Sequence, residues 1–251
     1  MTYCCGILVR DGMVMIADSR TNAGLDNIST FRKLHVFRKP GERIMALATS
    51  GNLSFSQEVV SILSEGIAHP ETGETESLMS VPTMFQAVQL VGRTVRRVHD
   101  IEVKTLEAPD VKFDVAFLFG GQIKGDRLRL FMVYSAGNFI ECTVDTPYLQ
   151  VGEHKYGKPI LDRAVRYGID LYDGLKIALL SMDSTMRSNL GVGLPIDVVV
   201  VRRDACDAEL TYRIEPGEPY FHDLSERWSA ALRAAHMAIP RPPYVTRTDA
   251  H

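Results

Sequence analysis

Residues 1–24 read MTYCCGILVRDGMVMIADSRTNAG. The runs GILVR and MVMIA are rich in strand formers and are separated by Asp11-Gly12, a pair that favours a type I′ hairpin turn. A turn there sets Arg10 against Met13, Asp18 opposite Cys5 and Thr2 opposite Thr21. The segment ADSRTNAG then lies within roughly 10 Å of the first residues, at about 3.4 Å per residue. In that ideal register Asp18 and Thr2 occupy opposite faces, so a bulge or bend is required to bring them together.

Thr2 is small enough for methionine aminopeptidases to remove Met1, which is the expected processing. A threonine at the new terminus carries a hydroxyl and a free α-amine side by side. The hydroxyl alone is a weak nucleophile and needs a base. An α-amine, with a reference pKa of about 7.7–8.0, is neutral in part near pH 7. A nearby cation lowers that pKa further and favours the base form.

A second hairpin follows in KLHVFRK, Pro40-Gly41 and RIMALAT. A helix is expected from Asn52 to Glu65, with Phe55, Val59 and Ile62 on one face and Gly66 at its end. Another is expected from Pro82 to Asp100, with Met84, Val88, Val91, Val95 and Val98 inward and Arg93, Arg96 and Arg97 on a solvated face. HPETGETES reads as an exposed loop between them. Strands return in FDVAFLFGG, LRLFMVY and NFIECTV, then helices in GKPILDRAVRYG and DGLKIALLSMDSTMRSN. The second of these is read as capped by Asp173, with Leu175, Leu179, Met182 and Met186 inward. IDVVVVRRD and AELTYRI close the strand set.

Strands and helices are grouped rather than alternating, which argues for an α+β domain and against a doubly wound parallel sheet. The expected organisation is one domain over 2–215, followed by a C-terminal helical extension and tail over 216–251. A net charge of −3 gives no reason to expect nucleic acid as a partner. No apolar run is long enough for a membrane span and no signal peptide is apparent, so a cytoplasmic location is expected. The four cysteines lack C-x-x-C spacing and read as buried thiols, and the seven histidines include no i, i+4 pair. No metal and no cofactor are expected. P-loop, complete G-x-G-x-x-G and G-x-S-x-G signatures are absent.

Taken together, Thr2, ADSRTNAG, the basic RK at 32–33, TSG at 49–51, AFLFGG, VYSAGN and VGEHKYGKPILDRA resemble proteasome-type β subunits, which are N-terminal-nucleophile hydrolases. The resemblance covers about residues 2–205 and is strongest toward the bacterial branch called Anbu, the ancestral β subunit. It implies a four-layer αββα sandwich of antiparallel sheets and a threonine endopeptidase activity. Thr2 matches the nucleophile, Asp18 the buried carboxylate, Lys33 its lysine partner and Gly51 the oxyanion-hole glycine. Thr21 and Asn22 match the edge that pairs with substrate backbone, and Ser188 stands near a supporting serine position. Unfolded peptide or protein substrates and a homo-oligomeric ring or ring-like stack are implied. An ATP-dependent unfoldase is a partner the family permits and this chain does not identify.

Three departures stand out. The Asp18–Lys33 interval is one residue short, which brings Arg32 into consideration. Glu153 replaces a usual serine. RSNLGVG replaces the usual aspartate and serine after the long helix. Two other readings therefore stand beside a peptidase. One is a non-catalytic assembly subunit of the same fold, and the other is an amidase or acyl transferase acting on a small molecule.

Overall fold

The structure is a computed structural model, and it describes residues 1–22, 28–69, 73–105 and 113–244. Two units divide at Pro216. The first opens with β1 (Tyr3–Val9), β2 (Gly12–Asp18), β3 (Arg20–Asn22), β4 (Ile28–Thr30), β5 (Leu34–Lys39) and β6 (Arg43–Gly51). It continues through α1 (Leu53–Glu65), β7 (Ile67–Ala68), β8 (Thr75–Glu76) and α2 (Met84–Thr105). Then come β9 (Val115–Ile123), β10 (Arg129–Val133), β11 (Phe139–Glu141), β12 (Tyr148–Gly152), α3 (Lys158–Ala164), α4 (Leu171–Ser188), β13 (Ile196–Arg202) and β14 (Leu210–Ile214).

Two antiparallel five-stranded sheets, ordered β12-β1-β2-β13-β14 and β11-β10-β9-β6-β5, form the centre. Both faces of β1 and β2 are covered, which is why their sequences run almost continuously apolar instead of alternating. Between the sheets lie Cys4, Leu8, Met13, Met15, Ala17, Leu34, Ile44, Leu130 and Val199. Helices α1 and α2 cover the outer face of the second sheet through Phe55, Val59, Val88, Val91, Val95, Phe117 and Phe131. Each such side chain contributes roughly 1.5–3 kcal/mol by leaving water. Helix α4 lies against β1 and β2 on the other side. The result is the expected αββα sandwich.

Several local expectations are corrected. The first turn falls at Arg10-Asp11, with Val9 paired to Gly12 and Cys5 to Ile16. Neither turn residue takes a positive φ, so the turn is not type I′. Gly12 instead answers a close approach: a Cβ there would lie 2.4 Å from the Val201 carbonyl oxygen. Extending this register sets Asp18 across from Tyr3, two places nearer the chain start than Cys5, and a shift of two leaves Asp18 and Thr2 on opposite faces. Asp170, not Asp173, caps α4, its carboxylate accepting from Tyr172 N and Asp173 N. In α1, Ile62 packs partly buried against the core with Phe55 and Val59, Leu63 is buried beside them, and Asn52 and Gly66 cap the helix as expected. The short ladders β3–β4 and β7–β8 have no counterpart in the sequence pattern. The latter pairs residues flanking and within HPETGETES, whose residues 70–72 lie outside the described set. All four cysteines are free and buried.

The second unit, Gly217–His251, holds α5 (Pro219–Ala238), which starts at a cap where the Glu218 carboxylate accepts from Phe221 N.

Candidate active site

The hairpin register delivers Asp18 to the end of β2, beside the start of β1. There the Tyr3 amide donates to Asp18 Oδ1 at 2.9 Å. Lys33, the residue before β5, donates to both carboxylate oxygens at 3.0 and 3.1 Å. Its ammonium also reaches the Arg20 carbonyl at 2.6 Å and the Met1 carbonyl at 3.3 Å. The ammonium has three protons for four acceptors, and the Met1 contact is the longest. Asp18 is fully buried and Lys33 is 3% exposed. Burial pushes the Asp18 carboxyl above its ordinary value, while the Lys33 charge and the Tyr3 and Gly193 N–H groups oppose that shift. Arg32, the alternative raised by the short interval, is exposed, and it is Lys33 that meets Asp18.

Thr2 is 8% exposed and lines a small cleft of about 40 Å³ with Met1, Thr21, Lys33, Thr49, Ser50 and Gly51. Its carbonyl accepts from Glu153 N at 2.8 Å. Gly152 makes this approach feasible: it has φ +83°, and a Cβ on it would sit 2.0 Å from the Thr2 oxygen. The tight turn at Gly152-Glu153 therefore fixes the carbonyl of Thr2, a role the sequence did not disclose.

Gly51 ends β6 with φ +101°, and a Cβ there would strike the Asp114 carbonyl oxygen at 2.0 Å. Thr49 N donates to the Lys33 carbonyl at 2.9 Å. Two residues on, strand alternation turns the Gly51 N–H to the same edge, beyond the start of β5, where the cleft opens. Thr21, in β3, shares the cleft, and its buried hydroxyl has no hydrogen-bond partner among the described residues. Asn22 pairs with Ile28 in the same short ladder.

Ser188 behaves differently. It is the last residue of α4, is exposed, and is absent from the cleft lining. The turn after it contributes glycines instead. A Cβ on Gly191 would lie 2.7 Å from Met1 Cβ, and Gly193 N approaches Asp18 Oδ2 at 3.4 Å. A Cβ on Gly193 would sit 2.4 Å from Arg20 Cζ, so this glycine leaves room for a guanidinium that donates to the Leu190 carbonyl at 3.2 Å. The string GVG in the sequence was the available signal, and its meaning is steric. Among the described residues no group of three or more His, Cys, Asp or Glu is placed to hold a metal. No helix of the described residues is long and apolar enough to cross a membrane.

The sandwich with a buried carboxylate–lysine pair beside the first strand defines a class, and sequence comparison agrees. The profile of the family described as "Proteasome subunit" matches residues 2–201, and the chain belongs to that family. Among solved structures it is similar to Anbu, the ancestral β-subunit, from Yersinia bercovieri. Identity there is 44% and the TM-score 0.88, over 97% of this chain and 100% of that one. It is similar also to the helical assembly of the Anbu complex from Pseudomonas aeruginosa, at 43% identity and TM-score 0.89, over 96% and 98% of the chains. Proteasome subunit beta 1 of Pyrobaculum aerophilum is 24% identical over 210 residues, spanning 81% of this chain and 91% of that protein.

Proposed function

We propose that the chain is a threonine-type peptidase whose nucleophile is Thr2 after loss of Met1. The observation that carries this reading is that Lys33, ion-paired to the buried Asp18, lines one cleft with Thr2, Thr21 and Gly51. The Thr2 hydroxyl attacks the scissile carbonyl, and the α-amine of Thr2 takes its proton. The Gly51 N–H donates to the oxyanion as it forms, an interaction whose loss in other hydrolases costs about 10²–10³ in rate. Collapse of the tetrahedral species passes the proton to the leaving amine and leaves an ester on Thr2. Water then adds to that ester, the amine again acting as base, and releases the acid product. The Lys33 cation lowers the pKa of the nearby amine and so keeps more of it in the base form. Asp18 neutralises Lys33 in its buried setting.

Substrate backbone is proposed to lie extended along the β3 edge carrying Thr21 and Asn22, a form of strand addition. The cleft of about 40 Å³ has room for a few waters and is far below the 300–1,000 Å³ of typical small-molecule pockets. The likeness to a helical Anbu assembly supports self-association into a ring-like or helical stack.

The test is an intact-mass measurement for loss of Met1, followed by treatment of the assembled protein with a peptide epoxyketone, with Thr2→Ala as control. Stoichiometric adduct on the wild type alone is the expected result. Wild-type protein that loses Met1 and stays unmodified would overturn the peptidase reading. It would favour the non-catalytic assembly subunit, a reading to which the exposed position of Ser188 lends some weight.

A further inference from the structure

Once Met1 is gone, nothing on the N-terminal side restrains Thr2. Its position then rests on its own carbonyl and on the residue that follows. The carbonyl is held by Glu153 N at 2.8 Å, and the next amide, that of Tyr3, is held by Asp18 at 2.9 Å. The peptide group linking Thr2 to Tyr3 is therefore engaged at both its oxygen and its nitrogen.

The Tyr3 side chain continues this restraint into the helix layer. It is fully buried, and burial pushes its phenol well above the ordinary value, so it keeps its proton. Gln150 Nε2, from β12, donates to the Tyr3 hydroxyl oxygen at 2.5 Å. The hydroxyl lies 2.9 Å from Ser181 Oγ on α4. Ser181 Oγ donates its own proton to the Ala178 carbonyl at 2.7 Å, so Tyr3 is the donor to Ser181. A one-directional chain results, from Gln150 through Tyr3 and Ser181 to the α4 backbone, in which every donor has an acceptor. Gly157 leaves room for it, since a Cβ there would lie 2.6 Å from the Tyr3 hydroxyl and 3.0 Å from Ser181 Cβ.

A phenylalanine would fill the same apolar volume, so the hydroxyl adds direction rather than bulk. We propose that Tyr3 is a positioning residue: its hydroxyl chain to Gln150 and Ser181 fixes the Thr2–Tyr3 backbone, keeps the Tyr3 amide on Asp18, and so sets the geometry of the nucleophile. The catalytic consequence rests on the reading of Thr2 as nucleophile. Small displacements of a reacting group are costly, about 10²-fold for 1 Å in other enzymes.

The test compares wild type, Tyr3→Phe, Ser181→Ala and the double variant in three readouts. These are inactivation by a peptide epoxyketone resolved into kinact and KI, hydrogen exchange of the peptide spanning residues 2–9, and thermal unfolding. The expected result for Tyr3→Phe is a fall of about tenfold in kinact with KI unchanged, and faster exchange at the N-terminal amides. Ser181→Ala should follow it, and the double variant should lose no more than either single change, because both break one chain. Wild-type kinact and exchange in Tyr3→Phe would overturn the proposal, as would a loss of kinact that merely tracks Tm. If Tyr3→Phe does not fold, Ser181→Ala and Gln150→Leu break the same hydrogen-bond chain with the ring left in place, and wild-type behaviour in both would overturn the proposal equally. A wild type that the epoxyketone does not label would sink the peptidase reading and the catalytic consequence together. The exchange comparison would still decide whether the hydroxyl anchors residues 2 and 3.

Discussion

Lys33 Nζ lies 3.0 Å from Asp18 Oδ1 and 3.1 Å from Oδ2, and both residues are almost wholly out of water. An ion pair so placed gives up the hydration of two charges. It persists because the remaining bonding capacity is taken up by the Arg20 and Met1 carbonyls on one side and by the Tyr3 and Gly193 amides on the other. Such a pair is a poor device for stability and a good one for holding charge at a chosen point beside Thr2.

Removing one partner should therefore be far more damaging than removing both. Asp18→Ala or Lys33→Ala is expected to cost about 3–5 kcal/mol, since each strands a buried charge. The paired change Asp18→Leu with Lys33→Met should recover most of that loss while leaving the protein unreactive toward an epoxyketone. Urea unfolding of the three variants checks it. Single-variant losses of about 0–1 kcal/mol, the range of exposed pairs, would contradict the burial argument.

Arg32 and Lys33 are adjacent cations with opposite settings, one exposed and one buried against Asp18. Arg32→Ala should leave the epoxyketone labelling rate within about twofold of wild type, and Ser188→Ala, at the exposed end of α4, should do the same. Lys33→Ala should lower the rate by at least about 10²-fold, as expected for loss of a group that tunes the base. Comparable losses at Arg32 and Lys33 would reverse the assignment.

An α+β domain was legible because strands and helices are grouped rather than alternating, and the four-layer sandwich followed from the resemblance to proteasome-type β subunits. The pairing of Asp18 with Lys33 was legible only as a juxtaposition of types. Its geometry depended on a hairpin register that Asp11-Gly12 misdirected: the glycine at 12 serves a close approach by Val201, and the turn sits one residue earlier. A one-residue shift of the turn moves every cross-strand pair by two, and here it put Asp18 across from Tyr3 instead of Cys5. The clamp on Thr2 by Gly152 and Glu153 joins residues about 150 positions apart, which no local pattern encodes. Ser188 was placed by analogy of type and position. The structure supplies Gly193 and its backbone N–H at that corner, a contact any residue's amide could make.

Glycine at 152 is required twice over, by φ +83° and by the 2.0 Å approach of the Thr2 carbonyl to the space a Cβ would fill. Gly125, with φ +86° and no atom of the described residues within 4 Å of an added Cβ, meets only the first requirement. Gly125→Ala should cost about 1 kcal/mol, the effect of a strained backbone alone. Gly152→Ala should cost roughly 1–3 kcal/mol more and lower labelling at Thr2 by at least about tenfold. Equal effects at the two glycines, read by thermal unfolding and inactivation kinetics, would show that the approach to Thr2 is slack.

His35 supplies a pH dependence whose sign is fixed by its surroundings. It sits on β5, where burial first and the Arg32 charge second push its imidazole below the ordinary value, with Asp197 opposing. Between its folded pKa and the unfolded value of about 6.5, the native state binds fewer protons than the unfolded chain. Stability must then rise with pH through that interval, by at most about 1.4 kcal/mol per pH unit for one proton. The contribution is fully present above about pH 6.5 and is lost as pH falls through the folded value. Replacing the imidazole with an uncharged amide in His35→Gln should flatten this segment of the stability curve. The difference between wild type and variant should widen as pH rises toward about 6.5 and stay constant above it. Urea unfolding across that range measures it, and parallel curves for the two proteins would show that His35 is as easily protonated in the folded chain as in the unfolded one.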